Sequence, residues 1–289
     1  MRWKVGRRSS NVVDYRGGRG LGGGLGKLGF GGIIAVVVIG LLMGKGPMEM
    51  LGMVAQITGG GGPEISQPQA PSAENAENRE FVATILGETE DVWGAIFQAN
   101  NLTYEQPKLI LFSGGVQTAC GGASSASGPF YCPGDQQVYL DTGFFQDMRA
   151  QLGGGGDFAE AYVIAHEVGH HVQTLTGVTA KVNSARRAGQ NVEGDGGLLV
   201  RQELQADCYA GLWAFHAQQR HQWLEPGDVE EALNTATAIG DDRLQKQSQG
   251  TVVPDAFTHG TAEQRVRWFK RGFEGGDVSR CDTFTTATL

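Results

Sequence analysis

The sequence lacks several features that would assign it to familiar classes of protein. None of its four cysteines belongs to a C-x-x-C pair, which argues against a zinc site built from cysteine alone. It contains no internal repeat, which excludes a solenoid or a propeller. No clean A-x-A site follows the apolar run near its N-terminus, and this absence argues against a cleaved signal peptide.

Charge is distributed unevenly along the chain. The whole sequence has 23 Lys and Arg against 31 Asp and Glu, and residues 1–27 hold seven of the basic residues and one of the acidic ones. The rest of the chain therefore carries 16 basic and 30 acidic residues, a net charge of about −14. An acidic body of this kind argues against nucleic acid as a partner.

A short apolar run follows the basic arm. Residues 28–44 contain no charged residue, and their seventeen positions are the short end of a membrane span. The positive-inside rule places residues 1–27, a basic and glycine-rich arm, in the cytoplasm. We therefore predict one transmembrane signal anchor in lipid of the bacterial inner membrane, followed by an exported C-terminal domain. A cleaved signal peptide and a buried core helix are the alternatives.

The chain after the apolar run divides into a linker and a folded domain. Residues 45–78 are predicted to be a flexible linker, because their second half lacks an apolar period and is rich in Gly, Pro and polar residues. Residues 79–289 are long enough for one sizeable core. Helical periodicity at 81–98, with short strands at 108–112 and 138–140, predicts an α+β, helix-dominated domain with a small sheet.

The segment from His166 to His170 reads H-E-V-G-H. Two histidines four residues apart on a helix lie on the same face, so both imidazoles can reach one metal ion. Glu167 can hold a water on that metal and take its proton. This pattern indicates a zinc hydrolase. A chance match is the alternative, so the context of the motif has to decide.

The context of the motif is an amphipathic helix. Residues 158–174 have apolar side chains at helical spacing, and Asp157 with Glu160 suggests a capping box at the helix start. Gly169 costs about 1 kcal/mol of helix stability relative to alanine, so we expect close packing there. His171 points about 100° away from His170 and is predicted to be a packed or hydrogen-bonded histidine.

Catalytic zinc usually has three protein ligands, and a second helix offers the third. Residues 200–219 are helical in pattern, with Glu203 and Asp207 on one face among apolar and small neighbours. Glu203 is the candidate ligand, and Asp207 can accept a hydrogen bond from a ligand histidine. The alternative is a solvated acidic face. His216 and His221 are competing ligands that we interpret as surface or packing residues.

Here the sequence resembles known enzymes. H-E-x-x-H followed by E-x-x-x-D on a second helix resembles the gluzincin arrangement of thermolysin and of membrane-bound prenyl-protease-type enzymes. More closely, the chain resembles the bacterial family of putative neutral zinc metallopeptidases. The matching segments are Cys120-Gly121, GPFYCPGDQQVYLD (128–141), AYVIAHEVGHHVQ, ELQADCYAG and HGTAEQRVRWFKRGF (259–273), after a basic, glycine-rich N-terminus.

The resemblance implies a zincin-like metallopeptidase with one Zn²⁺ per chain and a peptide or protein substrate. A late histidine in such enzymes often donates to the oxyanion of the tetrahedral intermediate, and His259 is the candidate here. The alternative is a simple turn histidine before a helix at 262–273. Arg265 could hold His259 or a carboxylate, or could be a surface residue. An edge strand binds substrate backbone in zincins, and residues 138–141 could serve.

The four cysteines support export of the domain. An even number of cysteines in an exported domain favours disulfides. Three pairings are compatible with four cysteines, and we favour Cys120 with Cys132 and Cys208 with Cys281. The first pair would close a short loop, and the second would tie the chain end to the helix that carries Glu203.

The residues together predict a membrane-anchored zinc metallopeptidase. His166, His170 and Glu203 are the expected ligands, and Glu167 is the expected general base. Two alternatives remain open at this point. One is a non-catalytic zinc-binding scaffold or quality-control partner at the membrane. The other is a zinc amidase that hydrolyses a non-peptide amide.

Overall fold

A computed structural model of the chain describes residues 1–16, 73–124, 127–151 and 155–289. The predicted membrane segment, residues 28–44, lies outside the described residues, as does most of the predicted linker. Among the described helices, none combines the length and apolar character that crossing a bilayer requires.

Helices make up most of the described part of the chain, which confirms a helix-dominated α+β domain. Their apolar residues recur at helical spacing, as the sequence predicts for the four longest of them. In chain order the helices are α1 (Ala73–Ala99), α2 (Gly143–Gln151), α3 (Asp157–Leu175), α4 (Val178–Arg187), α5 (Leu198–His221), α6 (Asp228–Ala238), α7 (Asp241–Gln249) and α8 (Ala262–Gly275).

A small mixed sheet accompanies the helices. Its strands are arranged in the order β1-β2-β6-β5, and β3 and β4 form a separate antiparallel pair. The pairs β1–β2 and β2–β6 are parallel, whereas β5 is antiparallel to β6. In chain order the strands are β1 (Val12–Asp14), β2 (Lys108–Phe112), β3 (Gly115–Thr118), β4 (Gly121–Ser124), β5 (Phe130–Cys132) and β6 (Gln137–Asp141).

Helix α3, which carries the H-E-x-x-H motif, is the centre of the domain. It contacts α1, α5 and α6 as well as strands β5 and β6. Fifteen of its nineteen residues are buried, so the helix is covered on nearly all sides rather than on one face. Helix α5 packs against both α3 and α8, and this pairing places the second predicted motif beside the first.

Glycines allow these helices to approach closely. A Cβ atom at Gly169 would lie 3.2 Å from the Cα and carbonyl oxygen of Ala206 on α5. The expectation of close packing at Gly169 is therefore confirmed. A Cβ atom at Gly211 would overlap the carbonyl of Phe269, and one at Gly272 would overlap the carbonyl of Cys208. The α3–α5 and α5–α8 separations thus both depend on the absence of a side chain.

The start of α3 differs from the prediction. Gly156 occupies the N-cap position without a side-chain cap, and Asp157 is the first helical residue. The Glu231 carboxylate on α6 instead accepts a hydrogen bond from the Phe158 N–H at 3.3 Å. Glu160 forms an ion pair with Arg149 on α2 rather than closing a capping box. A partner distant in sequence therefore replaced the local cap.

The described parts of the chain before residue 15 and after residue 72 belong to one compact unit. Residues 1–14 form one compact unit with residues 73–289, although the sequence predicted a separate arm over residues 1–27. Strand β1 lies at the edge of the sheet, parallel to β2, with Val13 opposite Ile110. Residues 73–78, predicted as linker, form the first turns of α1. Short segments like these acquire their structure from partners that are remote in sequence.

Both predicted disulfides are confirmed. Cys120 is bonded to Cys132, which closes a short loop between β3 and β5. Cys208 is bonded to Cys281, and this bond ties the C-terminal part of the chain to α5. No free cysteine occurs in the described residues.

Candidate metal centre

The three predicted ligands come together where α3 faces α5. His166 and His170 are one turn apart on α3, and Glu203 projects from α5. The Nε2 atom of His166 lies 3.2 Å from one Glu203 oxygen, and the Nε2 atom of His170 lies 3.4 Å from the other. The ligand atoms of all three residues lie within 4.8 Å of one another, so one metal ion could be held between them. Two imidazole nitrogens and one carboxylate oxygen form a donor set that suits catalytic zinc.

Asp207 fixes the orientation of the first histidine. Its Oδ1 atom lies 2.8 Å from Nδ1 of His166 and accepts a hydrogen bond of 2.6 Å from the Tyr162 hydroxyl. Arg265 on α8 donates to both oxygens of this fully buried carboxylate, each at 2.9 Å. Because Nδ1 of His166 is engaged in this way, its Nε2 is directed toward Glu203 as a ligand requires. Arg265 therefore holds a carboxylate, one of the roles that the sequence left open.

Gln173 plays the same part for the second histidine, and the sequence reasoning missed it. Its Oε1 atom lies 2.9 Å from Nδ1 of His170. Its amide nitrogen donates to the Gln202 carbonyl at 2.7 Å and to Gln205 at 3.1 Å, both on α5. The only signal in the sequence is that Gln173 follows His170 by three residues, which places the two side chains on one helix face.

The electrostatics of the cluster favour a cation. Burial by itself would lower the pKa of His166, but the Asp207 and Glu203 carboxylates raise it to about 10. Burial opposes ionisation of Asp207, yet Arg265 and His166 lower its pKa to about 2. The two ligand histidines likewise outweigh burial and hold the pKa of Glu203 well below its usual range. The cluster therefore keeps two carboxylates ionised, and a divalent metal would displace protons from the histidines.

Glu167 lies beside the ligands and lines the same cleft. The side chain is buried, and burial raises the pKa of its carboxyl group. A carboxylate with a raised pKa accepts a proton more readily near neutral pH than an exposed glutamate does. The position and chemistry of Glu167 thus suit a general base.

His259 borders the cleft from the loop before α8. Its Nδ1 atom lies 3.2 Å from Oδ1 of Asp241, and this hydrogen bond raises the pKa of the imidazole. The other Asp241 oxygen accepts the backbone N–H groups of Thr258, His259 and Gly260. Asp241 therefore fixes both the loop and the ring of His259, a role that the sequence did not reveal.

The cleft that contains the cluster has a volume of about 420 Å³. Residues 127–131, which include most of β5, form one wall, and Phe144, Ile239 and Leu244 add apolar surface. Among the described strands, β5 is at the edge of the sheet, whereas β6 lies between β2 and β5. The expectation that residues 138–141 form the edge strand is therefore wrong, because β5 pairs on the outer side of β6.

The remaining histidines have structural partners. His171 is buried, donates from Nε2 to the Glu105 carbonyl at 2.6 Å, and so accepts at Nδ1 from the Tyr131 hydroxyl at 3.2 Å. This confirms a hydrogen-bonded histidine and joins α3 to the edge strand β5. His216 bonds to the Gly276 carbonyl and His221 to Glu88. Neither belongs to the metal-ligand cluster of the described residues.

Uncharacterized bacterial proteins are similar to this chain over most of its length. An uncharacterized protein from Escherichia coli (strain K12), YpfJ, is 49% identical over 292 residues, which cover 98% of this chain and 99% of that protein. An uncharacterized protein from Mycobacterium bovis, Mb2605, is 46% identical over 224 residues, or 74% of each chain. No solved structure matches.

The family comparison covers nearly the whole chain. The sequence model described as "Putative neutral zinc metallopeptidase" matches residues 1–284, a range that includes both ligand helices and the His259 loop. Zinc is the metal in the family description, in agreement with the donor set of two histidines and one glutamate. The match also extends to the N-terminal residues that pack against the domain. The chain therefore belongs to the putative neutral zinc metallopeptidase family.

Proposed function

We propose that the protein is a zinc-dependent metallopeptidase that hydrolyses peptide bonds. The observation that carries this proposal is the convergence of His166, His170 and Glu203 in an open cleft, with Glu167 beside them. When bound there, zinc supplies a Lewis acid and lowers the pKa of a water molecule. A structural zinc site has no need of a neighbouring base, so the position of Glu167 favours catalysis over a scaffold role.

The protons of the reaction are assigned to residues of this chain. Glu167 takes a proton from the attacking water as that water adds to the peptide carbonyl. The same carboxyl group then passes the proton to the departing amine, so the base is regenerated in each turnover. His259 is held by Asp241, whose hydrogen bond raises the pKa of the imidazole, and it donates to the carbonyl oxygen as negative charge develops.

The edge strand β5 favours a peptide over another amide. The outer edge of β5 pairs with no other described strand, so an extended peptide can add there through backbone hydrogen bonds. A non-peptide amide cannot supply such bonds in series. Residues 127–131 line the cleft, so a chain bound there would pass the metal ligands. The hydrogen bond from Tyr131 to His171 would set the distance between this strand and α3.

We further propose that the domain operates in an oxidising compartment outside the cytoplasm. The two disulfides support this, because such bonds persist in exported proteins and are rare in the cytosol. Insertion of residues 28–44 in the membrane stays a prediction from the sequence.

The proposal is tested with the purified full chain loaded with zinc and assayed on a library of fluorogenic peptides. Glu167→Gln should lower turnover by roughly 10²–10⁴-fold, because glutamine cannot accept the proton. The zinc content should stay at the wild-type level, since Glu167 is not a ligand. Glu263→Gln, at an exposed position on α8, is the matched control and should retain activity. Wild-type turnover by zinc-loaded Glu167→Gln would refute the mechanism.

A further inference from the structure

The first fourteen residues, here called the N-terminal segment, are an integral part of the folded domain. The Arg2 N–H donates to the Trp223 carbonyl at 2.8 Å, and the Ser9 N–H donates to the Ala83 carbonyl at 2.8 Å. The Leu109 N–H donates to the Asn11 carbonyl at 3.0 Å, where β1 joins the sheet. The segment therefore has backbone partners along its whole length, on α1, on β2 and after α5.

A buried carboxylate on α1 is paired by this segment. Glu90 is only 2% exposed, and it accepts hydrogen bonds from three residues of the segment. The donors are Arg7 at 2.7 Å, the Ser9 hydroxyl at 2.6 Å and the Asn11 amide at 2.7 Å. Removal of the segment would leave Glu90 without these donors, and an unpaired buried charge is strongly unfavourable.

The shapes of the two surfaces are also matched. A Cβ atom at Gly87 on α1 would lie 2.6 Å from the Arg7 carbonyl oxygen, so the segment crosses α1 where that helix has no side chain. A Cβ atom at Gly6 would lie 2.5 Å from the Trp223 ring. Trp3 is buried and packs edge-to-face on Phe81, with 5.3 Å between ring centroids. The surfaces of the segment and of the domain are therefore complementary at these positions.

The basic residues of the segment are matched by acidic residues of the domain. All four basic residues of the segment form ion pairs with the domain. The pairs are Arg2 with Glu225, Lys4 with Glu77, Arg7 with Glu90 and Asp91, and Arg8 with Glu80. The positive-inside rule treats these charges as a topology signal, but the fold uses them to bind the acidic body.

We propose that residues 1–14 and residues 73–289 lie on the same side of any membrane that the chain meets. A single membrane crossing between them would place the segment and the domain surface that it contacts in different compartments. It would break the β1–β2 pairing and withdraw the donors from Glu90. The sequence-based topology, with the N-terminus in the cytoplasm and the domain exported, is therefore incompatible with the folded domain. The inference is independent of whether the protein is a peptidase.

The test is cysteine labelling of the full chain in intact bacterial cells with a membrane-impermeant maleimide. The native cysteines of the described residues are all in disulfides and should not react. Val5→Cys reports on the segment and Leu102→Cys on the domain, because these side chains are 69% and 56% exposed. A second pair, Ser10→Cys and Ala180→Cys, also at exposed positions, repeats the comparison if one variant of the first pair fails to accumulate. Permeabilised cells establish that every position can react.

Equal labelling of the two positions in intact cells is the expected result. Equal protection in intact cells, with labelling after permeabilisation, would support the same-side topology as well, but it would contradict export of the domain. Labelling of one position and protection of the other would overturn the proposal. Hydrogen exchange of the purified full chain is a second measurement. The amides of Ser9 and Leu109 should be protected, and rapid exchange at both would contradict docking of the segment.

Discussion

Substitution of Gly169 tests whether the metal centre depends on the close approach of α3 to α5. In Gly169→Ala, the new methyl group would lie 3.2–3.3 Å from atoms of Ala206, so the two helices must separate by a few tenths of an ångström. His166 and His170 lie on one helix and Glu203 on the other. The separation should therefore move the carboxylate away from the imidazoles and weaken zinc binding.

The magnitude follows from two opposing effects. Alanine improves helix propensity by about 1 kcal/mol relative to glycine. Overpacking a tight contact costs about 1–3 kcal/mol. The free energy of unfolding should therefore fall by about 0–2 kcal/mol. Zinc affinity should fall by roughly tenfold, at the lower end of the range for loss of groups that support metal ligands.

Two further glycines provide matched controls. A Cβ atom at Gly94, within α1, has no neighbour within 4 Å among the described atoms, so Gly94→Ala should stabilise the domain by about 0.5–1 kcal/mol. Gly211→Ala should cost more than about 3 kcal/mol, because the new methyl would overlap a backbone carbonyl of α8 that cannot rotate away. The free energy of unfolding should therefore be highest in Gly94→Ala, intermediate in Gly169→Ala and lowest in Gly211→Ala.

Urea unfolding in the presence of chelator measures stability without metal, and titration against a competing chelator measures zinc affinity. The reasoning fails if Gly169→Ala behaves like Gly94→Ala, with a more stable domain and unchanged zinc affinity. Reduced stability with wild-type zinc affinity would show that the cluster tolerates helix separation. Reduced zinc affinity in Gly94→Ala would show that the effect is not local.

Three other substitutions test separate parts of the site and its support. Asp207→Asn should destabilise the domain by about 3–5 kcal/mol, because the buried Arg265 loses its counter-charge, and should weaken zinc binding roughly 10–100-fold. Urea melts measure the stability and zinc titrations measure the affinity. Adding Arg265→Gln to this variant should restore part of the stability but not the affinity. Burial raises the pKa of Glu160 to about 7, against 4.5 unfolded, so the folded state favours its protonated form and loses stability as pH rises through that window. Glu160→Gln cannot ionise and so removes this loss. The difference in free energy of unfolding between the variant and the wild type should be more favourable to the variant at pH 8 than at pH 4, by about 3 kcal/mol at most. A difference that does not depend on pH in urea melts would contradict this. Tyr131→Phe should raise KM for extended peptides with zinc content unchanged, because β5 loses its hydrogen bond to α3. Tyr104→Phe is the control and should leave KM unchanged, because the buried Tyr104 hydroxyl has no partner among the described residues.

Local spacing was sufficient to predict the three residues of the candidate metal cluster and the helices that carry them. A separation of four residues on a helix places His166 and His170 on one face whatever surrounds the helix, because the geometry is set by the backbone. The same rule places Glu203 one turn from Asp207. Helices α3, α5 and α8 were predicted within about two residues at each end. Their long apolar periodicity specified them without knowledge of their partners.

The predictions that failed concern contacts between residues distant in sequence. The cap of α3 comes from Glu231 on α6, and the pairing order of β5 and β6 follows from the way the sheet is assembled. Two residues that orient the site act across elements, Gln173 against α5 and Asp241 against His259. No spacing identifies Asp241 beforehand, and the spacing of Gln173 from His170 does not reveal its contacts with α5. Their roles arise only when the helices and loops meet.

The N-terminal segment shows most clearly why local sequence patterns fail to predict contacts between distant residues. In the sequence its arginines precede an apolar run, and local charge counting predicts a cytoplasmic arm. In the fold Arg2, Arg7 and Arg8 pair with carboxylates more than seventy residues away, and Glu90 is buried beneath the segment. The same positive charges that resemble a topology signal in the sequence form ion pairs with the domain in the fold. The side chains that carry the chemistry could be read from local spacing, whereas the supports that hold them depend on tertiary packing.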